Sequence, residues 1–137
     1  MSLKNTNPTE TNAWKQLTTH YKEVKNKQIK ALFNSDKERK EKFTINFNEF
    51  EFDYSKNRIT EETLGYLLKL ANEVGLKSAI EAQFSGEIIN QTEKRAVLHT
   101  ALRSQLNNEL FVDGENIVPE IKEALNKIEL FTKMIKL

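Results

Sequence analysis

The chain has 137 residues, enough for one domain or one piece of a larger protein. Its 21 Lys plus Arg stand against 20 Asp plus Glu, a net charge of +1, so nothing electrostatic points to DNA, RNA or an anionic membrane as a partner. Cysteine is absent, which excludes disulfides, thiolate zinc sites and cysteine nucleophiles and fits a cytoplasmic setting.

The opening MSLKNTNPTETN has no apolar core of a secretory signal, and residues 1–10 read as a disordered tail. Thr11 or Asn12 then caps a helix starting at Ala13, because a side-chain oxygen there accepts one of the first free N–H groups. Trp14, Leu17, Tyr21 and Val24 recur at steps of three and four, an apolar stripe along that helix. Ile29, Leu32 and Phe33 resume helical spacing. Ser35 and Glu38 have the spacing of a capping box and predict another short helix over SDKERKEKF, with Lys37 to Lys42 as its solvated face. In FNEFEFDYS the period changes: Phe50, Phe52 and Tyr54 alternate with Glu51 and Asp53, which predicts a strand. Ser55 to Asn57 form a turn.

Thr60 predicts a second capped helix with Glu61 and Glu62 in its first turn, favourable against the positive helix end. Leu64, Leu67, Leu68 and Ala71 are its expected buried stripe, and Gly75 its left-handed stop. Ser78 and Glu81 have capping-box spacing for a short helix ending near Phe84 to Gly86. Asn90 or Thr92 is the expected cap of the next helix, with Ala96, Val97, Ala101 and Leu102 for packing. Asp113-Gly114 between apolar runs signals a hairpin, and Pro119 sits where a first helical turn tolerates it. Ile121, Leu125, Ile128, Phe131 and Ile135 mark a long amphipathic helix. It runs to Leu137 without a Gly, Pro or polar tail, as expected of a piece of a longer protein. The class predicted is α+β, predominantly helical, with short β segments that include a hairpin.

Reactive chemistry is sparse. The two histidines, His20 and His99, each lack another His three or four residues away, so a metal site is not expected. The four glycines are scattered, and no GxSxG elbow, Walker A run or GxGxxG fingerprint occurs. His99 reads as a helix residue bonded to a neighbour rather than a general base, because no nucleophile is placed beside it. That weakens the reading of a free-standing hydrolase. Glu93 and Arg95 read as capping and ion-pairing residues, and Trp14 and the phenylalanines as core. The residues assign no catalytic, cofactor-binding or metal-binding position.

One stretch is nevertheless specific. Phe84-Ser85-Gly86-Glu87, Ile89-Asn90, Thr92-Glu93 and Arg95 to Arg103 (RAVLHTALR) resemble a run near the amino end of the glucose-6-phosphate isomerase, or phosphoglucose isomerase, family. Further blocks follow in the family's order: Trp14, Lys15, Leu17 and His20; Asp36 and Arg39; DYSKNRIT, Asp53 to Thr60; and VDGENIVPEI, Val112 to Ile121. Gln83 and Ile88 depart from the pattern at positions of local packing. The resemblance implies that 11–137 is the N-terminal helical region of such an enzyme, structural and inactive alone. It implies that the two α/β sugar-isomerase (SIS) domains and all catalytic residues lie downstream. It further implies an enzyme that interconverts glucose 6-phosphate and fructose 6-phosphate in glycolysis and gluconeogenesis without a cofactor, as a cytoplasmic homodimer. The other reading the residues allow is a non-enzymatic helical module that binds a partner helix through an apolar stripe.

Overall fold

Thr11 does cap the first helix: its hydroxyl accepts the Trp14 N–H at 3.2 Å. In this computed structural model, which describes residues 5–103 and 109–135, helix α1 spans Asn12–Val24 and α2 spans Ile29–Ser35. One turn of helix, α3 (Arg39–Lys42), leads into strands β1 (Thr44–Phe47) and β2 (Phe50–Asp53). Helices α4 (Glu61–Glu73), α5 (Leu76–Phe84) and α6 (His99–Arg103) follow. A two-residue-per-strand hairpin, β3 (Phe111–Val112) and β4 (Glu115–Asn116), precedes the long α7 (Val118–Ile135). The described chain is therefore mostly helical with two small antiparallel hairpins, as the α+β expectation had it.

The chain divides into two compact units, Asn5–Val74 and one running from Gly75 to the end. In the first, α1 packs along α4. The Glu73 carboxylate at the end of α4 accepts the Ala13 N–H at the start of α1 (3.1 Å), tying the antiparallel pair together at one end. Thr60 caps α4 as expected and does so reciprocally: its hydroxyl accepts the Thr63 N–H, and Thr63 Oγ1 accepts the Thr60 N–H. In the second unit, α5 packs on α6 and α6 on α7, with Ala82, Ala101 and Val118 buried. Asp113 (φ 51°) and Gly114 (φ 84°) make the tight turn of the β3–β4 hairpin, and Pro119 lies in the first turn of α7.

Several expectations give way. Of the expected tail, residues 1–4 lie outside the described residues, and Pro8–Glu10 form one turn of 3-10 helix capped by Asn7, whose Oδ1 accepts the Thr9 N–H. Ser35 does not open a capping box; it is the last residue of α2 and its hydroxyl donates to the Leu32 carbonyl. Asp36, one position on, takes the Glu38 N–H instead (3.1 Å). Ser78 lies inside α5, which starts at Leu76 directly after the left-handed Gly75 (φ 72°). The strand at Phe50 has a partner the alternation did not reveal: β1, with Phe47 opposite Phe50 and Ile45 opposite Phe52.

The largest departure lies between Asn90 and His99. No helix starts at Asn90 or Thr92; the chain folds back on itself there, Asn90 and Arg95 exchanging both backbone hydrogen bonds (3.2 and 3.3 Å). Asn90 Oδ1 accepts the Glu93 N–H, an Asx-type turn that competes with helix formation. Lys94 takes the left-handed conformation this reversal needs (φ 52°). α6 is what remains of the expected helix. In the loop before it, Gly86 is required: with φ 80°, a Cβ there would lie 2.9 Å from the Phe111 carbonyl oxygen.

Candidate functional site

The residues with most chemistry converge in the Asn5–Val74 unit, and two of them are polar side chains taken out of water. Arg39 sits in the charge run expected to be a solvated face, yet it is only 2% exposed. Its Nε donates to the Ser55 carbonyl (2.8 Å), and its Nη2 donates to the carbonyls of Asn57 (2.8 Å) and Ile59 (3.0 Å). The guanidinium lies 4.6 Å from the Phe43 ring centroid and 5.6 Å from that of Phe33. Five fixed donors on a plane suit this role: one side chain satisfies three turn carbonyls that the chain reversal would otherwise leave unpaired. The turn predicted at Ser55 to Asn57 is thus held from a helix 16 to 20 residues earlier in the chain.

His20 is the second. It projects from α1 toward α4 and is 5% exposed. Its Nε2 is 2.8 Å from Thr63 Oγ1 and 3.4 Å from Thr60 Oγ1, so it joins the reciprocal cap of α4. Tyr66 meets the imidazole edge-on at 5.5 Å. Nδ1 is buried without a hydrogen-bond partner, 3.7 Å from a Glu62 oxygen and 3.8 Å from a Glu23 oxygen. Glu62 also accepts the Tyr66 hydroxyl (2.9 Å), which raises the phenol's pKa above its ordinary value. Lys15, Gln16 and Thr19 complete the walls of a shallow cleft of about 290 Å³. An imidazole beside carboxylates is the material of acid–base chemistry, but catalysis also needs a nucleophile or a cradle of donors for developing charge. Lys15 and Gln16 line the cleft as possible donors, while the Thr19 hydroxyl is turned back to the Lys15 carbonyl. As arranged, His20 clasps α1 to α4.

The surface around the turn is organised by smaller contacts. Lys42 bridges Asp36 (3.1 Å) and Glu61 (2.9 Å); the Glu61 bond first, then the Asp36 bond, raises its pKa. Ser55 donates its N–H to Asp53 Oδ1 at 2.8 Å, and its closeness holds that carboxyl below the ordinary range.

The sequence-derived candidates elsewhere do not converge. His99 is the exposed first residue of α6. Glu93 and Arg95, read as capping and ion-pairing residues, pair with each other at the exposed reversal. Trp14 and Tyr21 are not core: of the expected stripe α1 buries Val24, and it buries Ala13 and His20 besides. Leu67 and Leu68 of α4 are likewise exposed, and Thr63 takes the buried position. α7 buries Val118 and half-buries Ile121, while Leu125, Ile128, Leu130, Phe131, Met134 and Ile135 are exposed. Among the described residues no group of three or more His, Cys, Asp or Glu is disposed to hold a metal ion. Among them, too, no helix is long and apolar enough to cross a membrane.

Buried Arg39 thus holds a turn and buried His20 meets the cap of α4, while α7 presents large apolar side chains that nothing described covers. Comparison with known proteins accounts for that combination. Residues 53–137 match the model of the phosphoglucose isomerase family, and the chain belongs to that family. Over 133 residues it is 54% identical to the glucose-6-phosphate isomerase of Christiangramia forsetii (strain DSM 17595 / CGMCC 1.15422 / KT0803). That match takes in 97% of this chain but only 24% of the relative, so the chain spans about a quarter of the length of the protein it resembles.

Proposed function

We propose that this chain is the amino-terminal part of an enzyme that interconverts D-glucose 6-phosphate and D-fructose 6-phosphate, in the cytoplasmic reactions of glycolysis and gluconeogenesis. The observation that carries the reading is the 54% identity to a glucose-6-phosphate isomerase over nearly the whole chain. The reaction needs ring opening and then transfer of a proton between C1 and C2 through an enediol. For that, a carboxylate base, groups for ring opening and a cation near the enediolate must surround one sugar. His20, Glu23 and Glu62 face a shallow cleft open to solvent, and His99 is exposed at the start of α6. In this reading the reacting groups and the SIS domains belong to the remainder of the enzyme, whose working form is a homodimer. This part contributes packing surface and no catalytic residue, and it is inactive by itself.

The physical support is the exposed row on α7. Six large apolar side chains along one helix cost too much in water to be a free surface, since each fully buried one is worth about 1.5–3 kcal/mol. The same row would serve a helical module that binds a partner helix, but that reading leaves the family membership unexplained. Two purified proteins separate them in a coupled isomerase assay. The chain alone should give no turnover above a buffer blank. A chimera in which it replaces the matching stretch of the C. forsetii enzyme should isomerise glucose 6-phosphate. A folded but inactive chimera would overturn the reading.

A further inference from the structure

Hairpin β1–β2 carries a face that α7 does not explain. Side chains alternate along a strand, and the register sets Ile45 opposite Phe52 and Phe47 opposite Phe50. All four therefore emerge on one side, while Thr44, Asn46, Glu51 and Asp53 share the other. The polar side is accounted for locally: Lys40 pairs with Glu51 (3.5 Å), and Asp53 accepts the Ser55 N–H. The apolar side is open, with Ile45 55%, Phe47 69%, Phe50 76% and Phe52 64% exposed. Phe52 stacks on Tyr54, which meets the buried Phe43 edge-on, so the patch is anchored in the core at its base only. The sheet has two strands, leaving both outer edges unpaired among the described residues. Such a hairpin is marginal in water unless something lies against it.

From this geometry we infer that the Ile45–Phe47–Phe50–Phe52 face is a docking surface for the polypeptide that makes up the rest of the isomerase. The inference rests on the reading of the chain as part of that enzyme. The match extends over 97% of this chain, hairpin included, and leaves about three quarters of the relative's length to supply the cover. The face itself carries no charge: Glu51 on the opposite side pairs with Lys40, and Glu49 stands in the turn at the tip. Its occupant is therefore an apolar, uncharged surface, not an acidic or basic one.

The test uses the full-length chimera described above and the chain alone, each with and without Phe47→Ser plus Phe50→Ser. In the chimera the double substitution should lower the thermal midpoint by about 5 °C or more, whereas in the chain alone it should shift it by less than about 1 °C. Phe47→Leu plus Phe50→Leu, which keeps the face apolar, should restore most of the loss. Hairpin amides should exchange at least about tenfold more slowly in the chimera than in the chain alone. Equal exchange in the two, or a chimera indifferent to the serines, would overturn the inference. So would a chimera in which the serines only convert dimer to monomer and leave each protomer as stable, because the occupant would then be a second copy. Isomerase turnover reports separately: a chimera with a protected hairpin and no turnover removes the functional reading and leaves the docking surface.

Discussion

The two units solve the same problem with different materials. Asn5–Val74 closes around polar groups: Arg39, His20, Ser55 and Thr63 are buried beside Phe43, Leu32 and Val24. The unit from Gly75 onward closes around small apolar groups, Ala82, Ala101 and Val118, and leaves the larger side chains of α5 and α7 in water. Polarity therefore does not rank burial here: Arg39 and Thr63 are inside with their hydrogen bonds made, while His20 Nδ1 and Ser55 Oγ are inside without one. A guanidinium with three carbonyls in reach is a better interior group for a chain reversal than a leucine. A row of leucine, isoleucine and phenylalanine stays outside when no facing surface is present.

Removing Arg39 should break the first unit most severely. Arg39→Ala leaves the carbonyls of Ser55, Asn57 and Ile59 without their donor and opens a hole beside Phe43. The expected loss is about 3–5 kcal/mol by chemical denaturation. Arg39→Lys keeps the charge but cannot reach three acceptors in one plane, and should recover less than half of it. An alanine variant within 1 kcal/mol of the wild type, to order of magnitude, would mean that the turn holds itself.

In the second unit the equivalent weak point is backbone, not side chain. Gly86→Ala puts a Cβ 2.9 Å from the Phe111 carbonyl oxygen at φ 80°. Left-handed strain and the displaced hairpin together should cost about 2 kcal/mol. A loss confined to a few tenths would show that β3 shifts freely and that this unit is softer than its packing implies. Thr63→Ala comes next. It removes one half of the α4 capping box and the closest partner of His20 Nε2, for a loss of about 1–2 kcal/mol. Thr63→Ser keeps both bonds and should stay near the wild type.

How much of this was legible in the sequence follows the range of each interaction. Thr11, Thr60, Asp113-Gly114 and Pro119 act on neighbours one to three residues away, and each is found where its chemistry predicts. Ser35 with Glu38 and Ser78 with Glu81 have the same spacing as Thr60 with Thr63 but no cap forms, because Ser35 already ends α2 and Ser78 lies inside α5. Asn90 could cap a helix or close a turn, and its bonds to Glu93 and Arg95 decide for the turn. Arg39 was illegible as a buried residue since its acceptors lie 16 to 20 positions downstream. The apolar periodicities marked real faces on α1, α4 and α7. Periodicity alone does not say whether a face meets this chain or something beyond it.

Acidification distinguishes the units by a smaller effect. Ser55 holds the Asp53 carboxyl below its ordinary pKa, so the ionised form is favoured by folding. Stability from that bond is fully present above the unfolded carboxylate's value of about 3.9 and is lost as the pH falls through the lower folded value. Unfolding followed from neutral to acid pH should show Asp53→Asn with a shallower acid decline than the wild type. Parallel declines would leave the Asp53–Ser55 bond without a share in the first unit's acid stability.

The smallest expected effect is the most informative about the comparison. Phe131→Ser on α7 exchanges a ring that is 64% exposed for a hydroxyl. In the chain alone it should change stability by no more than about 0.5 kcal/mol in either direction, since no apolar area is uncovered. It should also reduce any concentration-dependent association, because the row it interrupts is the longest exposed apolar face among the described helices. In the full-length chimera the same change should cost several-fold more, as one buried aromatic lost is worth about 3–5 kcal/mol. If the chain alone were destabilised that much, the row would already be covered within it. The contrast between a polar closed unit and an apolar open one would then fail at its clearest element.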